Sequence, residues 1–370
     1  MTARRFLSVF AAFGLAATTA QAGTTSFVST LGGTVSPTIV AGAPVDVPTG
    51  AADSPTQRVD ANLPSSAFSG VVSIRIDNAE GAFICSGAAI DRWHVLSAGH
   101  CIDSDGGGHA LNLADPTNKV TVNVNANNPS GLYANAQKIA VDKISLNPNY
   151  QGFGNCPAGV SGFCVNDDVA VLRLTTALGD DVKTYKIHQG ELPTGSVLTL
   201  AGYGTSGDGW DGYSVDPRFG VKRVGYNVYE YYDADDETDF ASGSVPEVWY
   251  ADFDGIDADG YAHNPFTDLY GLPSGDSLGN QAETIIGGGD SGGPSFVYVN
   301  GEYELVGNNT FSSHSNRWPW AKGAFGDYFG GVLLDSYRGW IAEVAVPEPG
   351  SLALAALGLM GLAGIRRRRS

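Results

Sequence analysis

Gly289-Asp290-Ser291-Gly292-Gly293-Pro294 runs directly into Ser295-Phe296-Val297-Tyr298-Val299-Asn300-Gly301, and the residues after the serine decide the fold. A serine flanked by glycines sits on a tight turn with its hydroxyl exposed, and neighbouring backbone N–H groups can converge on a developing oxyanion. The hydroxyl is a poor nucleophile until a histidine takes its proton, and that histidine needs a carboxylate to fix its tautomer. The run after Pro294 is β-branched and aromatic and closes on Asn300-Gly301, the composition of a strand entering a hairpin.

The spacing Gly289-x-Ser291-x-Gly293 also fits the nucleophile elbow of α/β-hydrolases, which would make the chain an esterase. That reading needs a helix after the serine, with the acid and the histidine later in the chain. Here a strand pattern comes next, His314 is the only later histidine, and Glu302 and Glu304 are the only acids between. The histidine and acid are therefore to be sought upstream.

The chain of 370 residues carries 50 glycines and few long helical patterns, which points to an all-β protein with ample core. A net charge of −18 disfavours nucleic acid and anionic membrane surfaces as partners and keeps a secreted protein soluble. Arg4-Arg5, the apolar run Phe6 to Ala17, and Ala20-Gln21-Ala22 have the three parts of a signal peptide over 1–22, to be cut by signal peptidase after Ala22. Residues 23–58, rich in Thr, Ser, Pro, Ala and Gly, read as a pro-segment or linker. Export makes disulfides the expected state of Cys85, Cys101, Cys156 and Cys164, with three pairings open.

At the other end, Val346-Pro347-Glu348-Pro349 precedes an apolar stretch from Leu352 to Ile365 and then Arg366 to Arg369. The stretch is short for a permanent span, and the arginines would stay cytoplasmic. Residues 346–370 resemble the PEP-CTERM sorting signal of Gram-negative bacteria. The resemblance implies transient membrane association, removal by an exosortase-type enzyme, and delivery to the envelope or outside. A plain C-terminal anchor is the other reading.

From Gly70 the pattern tightens into a strand, Val71 to Ile76, and then Cys85-Ser86-Gly87-Ala88-Ala89-Ile90 leads through Val95-Leu96-Ser97-Ala98-Gly99 to His100-Cys101. Further on, Asn166-Asp167-Asp168 opens an alternating apolar run, Val169 to Leu174, which places the last acid at a strand start. With Ser291 the order is His, Asp, Ser. From about residue 59 to 345 the chain resembles the chymotrypsin-like (trypsin family) serine proteases. Leu146-Asn147-Pro148-Asn149-Tyr150 and the strand Gly195 to Gly204 fit the same pattern, as do the segment Glu304 to Ser312 and the closing Gly331 to Leu334 with Trp340-Ile341.

That resemblance implies two packed six-stranded antiparallel β-barrels, over 59–190 and 191–345, with a C-terminal helix. It implies a secreted endopeptidase acting on protein or peptide substrates without cofactor or metal. His100 would be general base, Asp168 its orienting acid with Asp167 as fallback, and Ser291 the nucleophile. The N–H groups of Gly289 and Ser291 would form the oxyanion hole, and Thr310, Phe311 and Ser312 would line the substrate. It pairs Cys85 with Cys101 and leaves Cys156 for Cys164. His94, His109, His188 and His263 read as ordinary surface or core residues.

Departures from the family leave specificity and activation open. Ile285, six residues before Ser291, falls at the specificity-pocket floor and implies apolar preference, but Gly287 stands where the family usually has a cysteine. In the family a new amino terminus pairs with the acid before the nucleophile, here Asp290; cleavage after Arg58 would make that terminus Val59. The insertion between Gly204 and Ser291 is acidic, with Asp233, Asp235, Asp236, Glu237, Asp252, Asp254, Asp257 and Asp259. It lacks the first ligand position of an EF-hand, where Gly255 stands, and reads as a solvated loop. The competing function is an inactive protease-like module for envelope binding, against which stands the presence of all three triad residues.

Overall fold

Alternation along the first strands divides their side chains between two cores. In β1 (Val71–Asn78), Val72, Ile74 and Ile76 point to one apolar cluster, while Val71 belongs to another. The same split recurs in β6 (Ala170–Leu174), where Ala170, Leu172 and Leu174 face the first cluster and Val171 the second. Period-two geometry makes this automatic, and a strand buried on both faces loses the usual polar alternation.

The computed structural model describes residues 58–345 except 61, 126–135, 214–219, 274–276 and 315–320. The signal peptide 1–22, nearly all of the segment 23–58, and the sorting segment 346–370 lie outside the described residues. β2 (Gly81–Ala89), β3 (His94–Ser97), β4 (Lys119–Val124) and β5 (Gln137–Leu146) join β1 and β6 in a closed antiparallel barrel of order β1-β2-β3-β6-β5-β4. Its interior is the first cluster. Cys85 and Cys101 are joined across the β2–β3 connection, and Cys156 and Cys164 close a loop before β6. The first of these constrains the unfolded chain by roughly 3 kcal/mol in a loop-entropy account.

The second unit begins with β7 (Ser196–Gly202) and β8 (Arg223–Tyr229), continues through β9 (Tyr231–Ala234) and β10 (Pro246–Asp252), and carries the small hairpin β11 (Gly255–Ile256) and β12 (Ala262–His263). α1 (Pro265–Tyr270), capped by the Asn264 side chain, precedes β13 (Pro294–Val299), β14 (Glu302–Ser313) and β15 (Tyr328–Leu333). Seven of these strands form one sheet of order β8-β7-β13-β14-β15-β10-β9. Six strands in a sealed ladder were expected. Instead, β8 and β9, separated only by Glu230, are the two edges of the sheet, so the sheet curls until one bent chain segment serves both ends. The Glu230 N–H donates to the Tyr250 carbonyl, which holds the bend against β10.

The second cluster lies between the two units, with Val71, Leu96, Val169 and Val171 on one side and Ala201, Phe296, Leu305 and Val332 on the other. The C-terminal helix implied by the resemblance is present as α2 (Arg338–Val344), and it sets Ile341 into this cluster.

The acidic insertion is not the solvated loop its composition suggested. Asp236, Asp252 and Asp254 are buried, whereas Glu237 and Asp259 are exposed and Asp257 behaves as a turn residue, accepting the Asp259 and Tyr261 N–H groups and contacting His263. Charge density was legible in the sequence, but the packing of β10 and α1 over it was not. Burial raises the Asp254 carboxyl to about 9 with the Asp252 charge adding to it, and burial raises Glu283 to about 8. A carboxyl raised in the folded state keeps its proton there while the unfolded chain releases it, so its stability contribution is full below about pH 4 and is lost as pH rises towards 8 or 9. The urea midpoint should therefore fall between pH 5 and pH 9, with a shallower fall in Asp254→Asn; a midpoint that rises over that range would contradict the burial of these acids.

Candidate active site

β3 and β6 pair with Ser97 opposite Ala170, so the residues just past each paired end meet. Those residues are His100 and Asp168. Asp168 is fully buried, its Oδ1 accepts the His100 backbone N–H at 2.7 Å, and its Oδ2 lies 2.7 Å from His100 Nδ1. Gly99 leaves room for this approach, since a Cβ there would come within 3.1 Å of Asp168 Oδ1. The Asn308 amide donates to the Asp168 carbonyl at 2.9 Å, tying the turn to β14. The Phe153 ring meets His100 edge-on at 5.2 Å and packs on Phe163 at 5.5 Å, inside the loop closed by Cys156 and Cys164. Nothing in the sequence pattern marked Phe153; only the disulfide loop folding back brings it here.

The serine loop reaches the same place from the other unit. Gly292 adopts φ +74° against β3, where a Cβ would stand 2.1 Å from Ser97 Oγ and 2.5 Å from the Ala98 nitrogen. Only glycine fits there. Ser86 Oγ donates to the Gly289 carbonyl at 2.7 Å and accepts the Tyr203 N–H at 2.9 Å, while the Ser86 N–H donates to the Ser291 carbonyl at 2.8 Å. The Cys101 sulfur stands 4.0 Å from His100 Nε2 and 3.7 Å from the Ser291 carbonyl oxygen. The N–H groups of Asp290, Gly292 and Gly293 are taken by Gly287, Asn309 and Asp290 carbonyls. Those of Gly289 and Ser291 have no acceptor among the described residues, and Ser291 Oγ likewise has no hydrogen bond there, to His100 Nε2 or any other atom.

Asp290 is fully buried, and its carboxylate accepts the Gly204 N–H at 3.0 Å and the Gly287 N–H at 3.4 Å. Arg223, also fully buried, donates to the carbonyls of Gly204 at 2.5 Å and Thr205 at 3.0 Å, so Gly204 lies between the two charges. Burial lowers Arg223 to about 10, opposed by the Asp290 charge. Val59 forms a β-bridge with Arg223 in the uncleaved chain, with its side chain partly exposed. Arg58 is buried, donating to the Ala282 carbonyl at 2.9 Å and the Glu283 carbonyl at 3.1 Å.

Ile285 lies fully buried in the core of the second unit with Trp249 and Phe329. Thr310 is buried, Phe311 leans edge-on against Tyr250 at 5.4 Å, and Ser312 is exposed. Tyr213, which no motif marked, joins the two segments: its hydroxyl lies 3.2 Å from the Ile286 carbonyl and 3.3 Å from Ser312 Oγ. A cavity of about 380 Å³ between His188, Tyr229, Tyr232 and Val306 is lined by none of the site residues.

Residues 59–227 match the Trypsin family model, and residues 345–369 match the PEP-CTERM protein-sorting motif. No curated protein matches the chain. The first match spans His100 and Asp168 and stops short of Ser291. Over residues 59–227 the chain is thus similar to the Trypsin family, and its sorting segment indicates export and association with the cell envelope in Gram-negative bacteria.

Ser86→Ala should lower unfolding stability by about 1–3 kcal/mol in urea titration, because it strands the Tyr203 N–H and the Gly289 carbonyl away from water. An unchanged midpoint would mean that Ser86 does not hold the serine loop.

Proposed function

We propose that the chain is a secreted serine endopeptidase that cleaves peptide bonds through His100, Asp168 and Ser291. The observation that carries this reading is the approach of the His100–Asp168 pair to a serine loop whose Gly289 and Ser291 N–H groups have no acceptor among the described residues. On this reading the curled seven-stranded sheet takes the place of a second barrel, and catalysis occurs at the seam between the units.

Ser291 Oγ attacks the substrate carbonyl while His100 Nε2 takes its proton and returns it to the leaving amine. Asp168 holds the Nδ1–H and stabilises the imidazolium as it forms. The Gly289 and Ser291 N–H groups receive the oxyanion, each donor being worth roughly 3 kcal/mol in the transition state. Water then repeats the sequence on the acyl-enzyme. The Ser291–His100 hydrogen bond closes with substrate in place, as such contacts commonly do.

Substrate side chains would enter beside Tyr213 and β14, with Thr310, Phe311 and Ser312 along the substrate backbone. The apolar character of Ile285 and its surroundings favours apolar over cationic side chains, since an unpaired buried cation is costly. Signal peptidase and an exosortase-type enzyme would remove the two ends.

For activation, buried Arg223 supplies Asp290 with positive charge before any cleavage, and the docked Arg58 side chain is poorly placed for a convertase. The pairing of Asp290 with a freed Val59 terminus, expected from the family, is then not needed for an open oxyanion hole.

A fluorophosphonate probe should label the mature wild type and not Ser291→Ala, whose peptide turnover should fall by roughly 10⁴–10⁶-fold. Failure to label a folded wild type, before or after a cut at Arg58, would favour the binding-module function instead. Arg58→Gln should label like the wild type, whereas Arg223→Met should lose labelling while retaining its circular dichroism spectrum. Labelling that appears only after cleavage at Arg58 would show that the new terminus is required.

A further inference from the structure

The turn that carries Asp168 begins with Asp167, and Asp167 faces the acidic insertion. One ligand oxygen each from Asp167, Asp236, Glu237 and Glu247 lies within 4.8 Å of all the others. Asp167 and Asp236 are each 3% exposed and Glu247 is 8% exposed, while Glu237 is open to solvent. Among the described residues no Lys, Arg or His forms an ion pair with any of the four. Four carboxylates gathered without a cation are an expensive arrangement, because each charge opposes its neighbours in a poorly solvated place.

The surroundings hold the oxygens in position rather than neutralise them. The Asn166 amide donates to Glu247 Oε2 at 2.9 Å and to the Ala234 carbonyl at 3.0 Å. Asp167 takes the left-handed backbone conformation, φ +60°, and donates its N–H to Tyr337 Oη at 3.0 Å. Separately, Asp236 Oδ1 is buried with no hydrogen-bond partner among the described residues. A carboxylate oxygen nine-tenths buried and without a donor is rare unless something else binds it.

We infer that Asp167, Asp236, Glu237 and Glu247 bind a calcium ion that clamps the Asp167–Asp168 turn of the first unit to the β9–β10 segment of the second. Only oxygen is offered, so the ion is hard. Calcium takes oxygens at about 2.3–2.6 Å, so ligands across the ion stand about 5 Å apart, in keeping with the spread of the four groups. Magnesium demands near-octahedral geometry at about 2.0–2.1 Å and usually keeps several waters rather than an all-protein carboxylate cage. Burial, with the neighbouring carboxylates adding to it, raises Asp167 to about 9 and Asp236 and Glu247 to about 7, and a bound dication opposes both effects. The site is distinct from an EF-hand, and it stands whether or not the chain hydrolyses peptides.

The mature protein, stripped with chelator, is titrated with terbium and then calcium near neutral pH. Terbium should emit when tyrosine is excited, because Tyr337 adjoins Asp167, and calcium should quench that emission by displacement. Calcium at a hundredfold excess over Kd should raise the melting midpoint by about 5–10 °C. Asp236→Asn and Glu247→Gln should each weaken calcium at least about tenfold and lose most of the shift. With less repulsion, both should melt no lower than the metal-free parent, a sign that simple loss of folding cannot imitate. A parent that shows neither emission nor a calcium shift, variants that keep the full shift, or an equal shift with magnesium would each overturn the assignment.

Discussion

One buried carboxylate sets the arrangement of the seam. Asp168 has no solvent access, and both its oxygens are engaged by the same residue, through the backbone and the ring of His100. Hydrogen bonds to a charged group contribute about 1.5–3 kcal/mol each, and without them the desolvated carboxylate would be strongly destabilising. The pair exists only in the register that sets Ser97 opposite Ala170. A one-residue slip would turn Ala170, Leu172 and Leu174 out of the barrel and Val171 into it, so barrel packing and histidine placement enforce each other. The serine arrives from the opposite unit, held by Ser86 and by the fit of Gly292 against β3.

The interior is less apolar than an all-β core need be. The chain has 39 acidic and 21 basic residues, and several of its few cations are buried in service of acids or carbonyls. Lys222 is fully buried beside Asp60 at 3.0 Å, Arg58 lies against the Ala282–Glu283 backbone, and Arg223 sits across Gly204 from Asp290. Acids outnumber these cations inside as they do in the whole chain. The excess collects in the insertion, where carboxyl groups are pushed towards their neutral forms.

Strand alternation, the acid at the start of the Val169 to Leu174 strand and the glycine-flanked serine were legible because each depends on neighbours in the chain, whereas the role of His100 and the terminal helix came from the family resemblance. The disulfides between Cys85 and Cys101 and between Cys156 and Cys164 came from the family resemblance and are formed in the structure. What sequence could not show depends on distant contacts. The run Tyr226 to Tyr232 has the composition of one strand, and its break at Glu230 arises because that residue bonds Tyr250 on β10. Tyr213 and Phe153 reach the site on irregular segments without periodicity, and the burial of Asp236, Asp252 and Asp254 is imposed by elements packed over them.

The segment that begins at Arg58 has a role at the rim of the second unit. Val59 bridges Arg223, the Val224 N–H donates to the Arg58 carbonyl, and the Asp60 N–H donates to the Lys222 carbonyl. Tyr226, farther along β8, is bridged in parallel by Glu283. These contacts occupy the outer side of β8, one of the two places where a curled sheet could accept a foreign strand. A row of unpaired peptide groups is a template for another chain, and proteins commonly blunt it with cover of this kind. The few residues ahead of the first barrel thus act as a guard against self-association, and a protease that trimmed past them would leave a folded chain prone to aggregate edge to edge.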